Sequence, residues 1–315
     1  MNILKKEKTI RLIRIIIFFL IIIACLSSVI NSSIALLLGF IFTNVFGNRF
    51  LVFNNKAISF LLQLAIIGIG FNLNIQETLV IGQNGFMYIM FFVIFALCIG
   101  IVLGKTLKVE QKTAHLISSG TAICGGSAIA AIASTIHAPK EDISIALSIV
   151  FILNAIALLV FPTLGHIFNL SEYQFGLWSA IAIHDTSSVI GAAQIYGEEA
   201  LKIATIIKLV KTLWIVPVAI FSSLLFKGEF HSKKIPWFII IFVLVIIINS
   251  YSPISSTITN SIYTISKSIF VIVLFLVGMN LSISKIKVVG WKPAVLGIST
   301  WFIISTISLL IILNL

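Results

Sequence analysis

Charge is scarce in this chain, and acidic charge scarcer still. Its 315 residues include ten Asp and Glu, and charged residues of both signs make up 10% of the sequence. A soluble domain carries about a quarter, because something must cover its surface. That deficit excludes an ordinary soluble protein. Cysteine is limited to Cys25, Cys98 and Cys124, widely spaced and without a CxxC pair, which leaves no disulfide framework and no thiolate metal site. No phosphate-binding P-loop signature occurs, which argues against an ATP-driven pump in this chain. No stretch is polar enough to be a soluble domain or a long linker.

What is present is apolar. Hydrophobic residues form 59% of the chain and the mean hydropathy is +1.18. Apolar runs recur at Leu12–Ile30, Ile34–Phe46, Ala57–Phe71, Phe86–Leu103, Ile143–Leu164, Ile203–Phe226, Ile235–Ile248, Ser268–Leu281 and Ala294–Leu313. A helix needs about 20 mostly apolar residues to cross the hydrocarbon of a bilayer. The runs predict one all-α integral membrane domain over 1–315, with about 9–11 transmembrane segments. Residues 1–32 form a basic flank and first helix, and 33–315 a repeat-containing core. The run before Cys25 loosely resembles a lipoprotein signal, but more membrane protein follows it, which predicts an uncleaved helix.

The net charge of +11 is distributed as membrane topology requires, not as a nucleic-acid surface. The N-terminus and the segments Arg49–Lys56, Lys105–Lys112, Lys227–Lys234 and Lys285–Lys292 are basic, whereas Asn31–Ser33, Asn72–Gly85 and Asn249–Asn260 contain no Lys or Arg. The positive-inside rule predicts a cytoplasmic N-terminus and an external Leu315. Two segments resist a simple helix reading. Lys112–His137 is interrupted by Gly120-Thr-Ala-Ile-Cys-Gly-Gly-Ser127, and Ser171–Tyr196 by Ile183-His-Asp-Thr-Ser-Ser188. Irregular backbone at membrane depth survives only where protein or a polar cavity satisfies it. Loop parity requires both segments to cross or both to re-enter. The uncharged loop Gly165–Ser171 mildly favours re-entry from opposite faces.

The chain also repeats itself. Gly70-Phe-Asn-Leu-Asn-Ile75 aligns without gaps with Gly278-Met-Asn-Leu-Ser-Ile283, on helices expected to run in opposite directions. Inverted repeats of this kind build secondary transporters, with the substrate between broken helices near the midplane. Each broken segment precedes a helix that opens on an acidic pair (Glu141-Asp142, Glu198-Glu199) and contains a proline (Pro162, Pro217), with Asn154 and Lys211 at matching positions. Carboxylates at a helix N-terminus meet its positive dipole end, which suffices to explain both pairs.

Lys208 and Lys211 interrupt the apolar run Ile203–Phe226 and share a face with Thr205 and Thr212. A charge at the bilayer centre costs about 2.5–3.5 kcal/mol on insertion scales, so such a residue normally faces a cavity or a partner. Lys208, about six residues into the run, either snorkels outward or lines the site with Lys211, which is deeper and the stronger candidate ligand. Asp185, beside His184, is either a structural partner of Lys211 or a proton or cation site. The glycine-rich Gly120–Ser127 offers free N–H groups that suit an anion, although such segments also serve close helix packing. Cys124 reads as a small packing residue within that loop. The candidate substrate site is therefore Gly120, Thr121, Cys124, Gly125, Gly126, Ser127, Asn154, His184, Asp185, Ser187, Ser188, Lys208 and Lys211.

Thr121-Ala-Ile-Cys-Gly-Gly-Ser-Ala-Ile-Ala-Ala131, Phe175-Gly-Leu-Trp178 with Ile183-His-Asp185, Gly197-Glu-Glu-Ala200 and Ala204-Thr-Ile-Ile-Lys-Leu-Val-Lys211 resemble the YeiH-like family of bacterial inner-membrane proteins. The resemblance runs from about Gly39 to the C-terminus. It implies a fold akin to the cation/proton antiporter and anion transporter superfamily, and that family carries a sulfate-exporter label. Where the family usually has Glu after the Ile-His pair this chain has Asp185, and where it often has Arg this chain has Lys211, which lacks the guanidinium fork. The expected function is secondary transport of a small inorganic or organic anion, sulfate- or sulfonate-like, across the bacterial cell membrane, without a cofactor, metal or nucleic acid. A coupling proton or sodium ion and self-association are further expectations. The alternatives are an anion channel, since glycine-rich loops also line filters, and an intramembrane hydrolase using His184, Asp185 and one of Ser127, Ser187 or Ser188.

Overall fold

In the computed structural model the described residues are 2–27, 29–47, 51–228, 237–252, 254–280 and 290–315, with side chains from residue 12 onward except at 51–55. The side chains of the basic residues at 5–11, the segments 229–236 and 281–289, and the second half of the Gly278–Ile283 repeat therefore lie outside the description. Every regular element among the described residues is an α-helix: α1 (Asn2–Leu26), α2 (Ser32–Phe46), α3 (Leu51–Gly70), α4 (Ile75–Thr106), α5 (Gln111–Ala122), α6 (Gly126–Thr135), α7 (Lys140–Ile167), α8 (Glu172–Ala182), α9 (Thr186–Tyr196), α10 (Glu198–Leu213), α11 (Ile215–Phe226), α12 (Trp237–Tyr251), α13 (Ser256–Asn280) and α14 (Trp291–Ile312). Among the described residues five spans are long and apolar enough to cross a membrane: α4, α7, α10 with α11, α13 and α14. The protein is an all-α membrane protein.

Local chemistry sets the helix limits. Asn31 Oδ1 accepts from Ile34 N at 2.9 Å to start α2, and Asn74 Oδ1 accepts from Gln76 N at 2.8 Å to start α4. Ser171 and Gln174 form a reciprocal capping box at α8, which satisfies two donors a helix start otherwise leaves free. The run Ile203–Phe226, read above as one helix, is two. Pro217 has no N–H to offer the carbonyl of Leu213, and α10 ends there before Trp214. Pro162 leaves α7 unbroken.

The helices pack in two groups. In the first, α13 lies against α2 and α3, with α12 on α3 and α1 on α13. A methyl group on Gly39 would stand 2.0 Å from the carbonyl oxygen of Phe275, and one on Gly278 would stand 2.1 Å from that of Leu36. The glycines thus let α2 and α13 touch backbone to backbone. The second group, α4 to α11 with α14, holds both broken segments.

Each broken segment folds back as a hairpin. Lys112 Nζ, at the start of α5, donates to His137 O, just past the end of α6, at 3.1 Å. In the other, the Glu172 carboxylate at the start of α8 accepts from Glu199 N at 2.7 Å and Ala200 N at 3.2 Å. Both hairpins therefore re-enter; neither crosses. The open end of the first lies with the end of α11, where His115 Nε2 meets Ser222 Oγ at 2.7 Å. The open end of the second lies with the start of α10. Since α10 and α11 run the depth of the bundle, the hairpins enter from opposite ends.

Candidate functional site

The two hairpin tips meet. The first tip turns at Gly125, whose φ of +66° favours glycine. A methyl group there would stand 3.1 Å from Val150 Cγ1 of α7 and 3.5 Å from Asp185 N of the second tip. The carboxamide oxygen of Asn154, on α7, holds that second tip by accepting from His184 N at 3.0 Å and Asp185 N at 3.1 Å. Asp185 then caps α9: its Oδ2 accepts from Ser187 N at 3.0 Å, from Ser188 N at 3.3 Å and from the Ser187 hydroxyl. At the first tip Cys124 Sγ and Ser127 Oγ lie 2.8 Å apart.

Both lysines are buried against these tips. Lys208 is fully inaccessible, and its Nζ donates to Ile183 O at 2.7 Å, Ile123 O at 3.2 Å and Ala180 O at 3.4 Å. Ile123 and Ile183 are the C-caps of α5 and α8. One ammonium group thus sits on the carbonyl ends of two helices, where a cation is favoured. Lys211, 1% exposed, donates to Ile181 O at 2.7 Å.

Two alternatives that the sequence leaves open close here. Lys208 does not snorkel, because α10 begins at Glu198 and carries Lys208 to the depth of the tips. Asp185 does not pair with Lys211, because its carboxylate is engaged on the N-terminus of α9. Among the described residues the ion pair is elsewhere, between Lys267 and Glu198. Glu198 also accepts from Tyr263, so this first acid of α10 joins α13 rather than merely meeting its own helix dipole. The N-terminus of α10 is capped instead by Glu172 of α8, whose position opposite it no local spacing reveals.

The structure brings together Cys124, Gly125, Asn154, His184, Asp185, Ser187, Ser188, Lys208 and Lys211. Gly120 lies one turn back, its carbonyl accepting from Gly125 N at 2.9 Å. Gly126 packs on Phe151 and Leu147 of α7, and Ser127 is exposed at the start of α6. The backbone acceptors Ile123, Ala180, Ile181 and Ile183 are the site members the sequence reading missed. A broken helix leaves its last carbonyls free, and a lysine at the same depth was the signal that could have found them.

Unpaired polar groups concentrate at this crossing. Both ring nitrogens of His184, Asn154 Nδ2, Thr121 Oγ1 and Ser119 Oγ are buried without a hydrogen-bond partner. A buried polar group left unpaired costs about 1–3 kcal/mol, which makes these atoms candidate partners for a polar ligand or water. A cleft of about 260 Å³ between α4, α5 and α11, lined by Lys105, His115 and Phe226, lies instead near the open end of the first hairpin.

The comparisons with known proteins concern family and not chemistry. Residues 8–297 match the family model described as conserved hypothetical protein 698. The chain is 46% identical to the UPF0324 membrane protein PBPRB0970 of Photobacterium profundum over 94% of its own length and 91% of that protein's. It is 44% identical to a UPF0324 membrane protein of Bacteroides thetaiotaomicron over 89% and 85% of the two chains. With the UPF0324 membrane protein VP0936 of Vibrio parahaemolyticus the identity is 46%, over 93% and 96%. No solved structure matches the chain significantly. The coverage is nearly end to end, and the chain belongs to the UPF0324 membrane-protein family, in agreement with the YeiH-like motifs of its hairpins.

Proposed function

We propose that this protein is a secondary transporter that carries a small anion, sulfate- or sulfonate-like, across the bacterial cell membrane by alternating access. The observation that carries the reading is the crossing of two oppositely entering hairpins at a fully buried pair of lysines that have no carboxylate partner. Discontinuous helices meeting at mid-depth are the usual substrate site of secondary transporters, and buried cations without a counter-ion favour an anionic ligand. Inverted repeats fit the packing: α4 lies on α5 as α14 lies on α8, and the Gly70 and Gly278 motifs close α3 and α13. The basic loops orient the chain with the N-terminus in the cytoplasm and Leu315 outside. An alkaline phosphatase fused at Leu315 should be active; an inactive fusion with a fluorescent green fluorescent protein fusion would reverse the orientation.

Hydrolysis is the weaker reading. The Ser187 hydroxyl donates to Asp185 and Ser127 lies on Cys124, and among the described residues no serine hydroxyl bonds to the His184 ring, so the hydroxyl–imidazole pair that hydrolysis would use is not formed. The test is solute counterflow in proteoliposomes loaded with unlabelled sulfate, a sulfonate or a carboxylate. Wild type should accumulate the labelled anion transiently, and Lys211→Met should abolish the overshoot. Conductance without counterflow would make the protein a channel, and a chemically altered anion would make it an enzyme. Uptake by Lys211→Met at the wild-type rate would remove the lysine from the site.

A further inference from the structure

The site's charges can be summed, because each is fixed by a contact. Four helix ends converge at the hairpin crossing: the C-termini of α5 and α8 at Lys208, and the N-termini of α6 and α9 at Gly125 and Asp185. Each end carries about half an elementary charge, negative at a C-terminus and positive at an N-terminus. The two C-termini therefore offset the ammonium of Lys208, whose three N–H donors all point at carbonyls from those ends. The carboxylate of Asp185 caps the N-terminus of α9 directly, and its backbone lies beside the α6 N-terminus at Gly125, so its charge is set against these two positive ends. With the His184 imidazole uncharged, Lys211 is left over. Its ammonium is buried, uses one donor on Ile181 O and has two unused.

We infer that the site is built for a singly charged anion, held by the two unused N–H donors of Lys211, with Lys208 as a positioning residue that ties the hairpin tips together. The buried, unpaired Asn154 Nδ2 and His184 ring are the neutral polar groups available to the rest of the ligand. A dianion would leave a net negative charge in a water-poor site, which is costly without a further counter-ion. This inference rests on the anion-transport reading and narrows it: the recognised class is a monoanionic oxyanion, such as a sulfonate or carboxylate, ahead of sulfate itself.

Methanesulfonate and sulfate share an oxygen face on sulfur and differ by one charge, so they isolate the charge sum. Calorimetric titration of the detergent-purified full chain with each, at neutral pH and matched ionic strength, should give methanesulfonate at least about tenfold tighter, a difference of about 1.4 kcal/mol. Asp185→Asn keeps an N-capping side chain on α9 but removes the negative charge, raising the sum by one. It should shift the preference toward sulfate by about tenfold or more, which loss of a merely structural carboxylate would not do. Lys211→Met should lose methanesulfonate binding. Sulfate binding as tightly as methanesulfonate to wild type, or an unchanged ratio in Asp185→Asn, overturns the charge assignment while leaving anion transport standing. Binding of neither ion, nor of any carboxylate, to a folded wild type removes the anion reading and this inference with it.

Discussion

Two lysines three positions apart have different jobs because their donors are differently engaged. Lys208 places all three N–H groups on backbone carbonyls, whereas Lys211 places one. The sequence shows both as cations in an apolar run, which is enough to mark them as unusual. It cannot show which carbonyls they reach, because those belong to Ile123, Ala180, Ile181 and Ile183, distant in the chain and selected only when the hairpins fold. Depth misled for a simple reason. Lys208 is close to the start of the apolar run at Ile203, but the helix starts at Glu198, and ten residues of helix place the lysine about 15 Å along its axis. Gly125 is the other residue on which the site depends. Gly125→Ala forces a side chain into a left-handed conformation, costing at least about 1–2 kcal/mol, and pushes a methyl toward Val150. Reduced thermal stability together with lost counterflow is the expected result; a variant as stable and active as wild type would show that the tip can rearrange.

At the scale of elements, the glycine-rich interruptions were legible as broken helices, and their re-entry only as a weak preference. The loop Gly165–Ser171 has no Lys or Arg, which favours the outside and hence re-entry only mildly. Contacts decide it: Lys112 with His137, and Glu172 with the first N–H groups of α10. The second contact also makes α8 and α10 one unit, since the carboxylate of one caps the N-terminus of the other. Glu172→Ala should destabilise the protein by about 0.5–2 kcal/mol, the usual range for a lost helix cap, seen as a lower melting temperature of the solubilised protein. An unchanged melting temperature would mean that water replaces the carboxylate and that the packing of α8 on α10 holds the hairpin unaided. The split of Ile203–Phe226 was legible in principle from Pro217, yet Pro162 lies within an intact α7, so the proline alone is not a sufficient signal.

For the molecule as a whole, membrane class followed from composition and family membership from motifs, while function depends on where the helix groups meet. The group of α2, α3 and α13 touches the hairpin group chiefly through α9, and at the start of α10 Glu198 is joined to Lys267 and Tyr263 of α13. On the proposed transport reading, movement of one group against the other would expose the hairpin crossing to alternate sides. The account therefore depends on an anion sitting at that crossing. Diffraction from crystals of the full chain soaked with bromomethanesulfonate, whose bromine scatters anomalously, locates it directly. The account predicts a bromine peak at the hairpin tips with a sulfonate oxygen about 3 Å from Lys211 Nζ. An ordered bromine peak anywhere else, with the crossing unchanged, would contradict it.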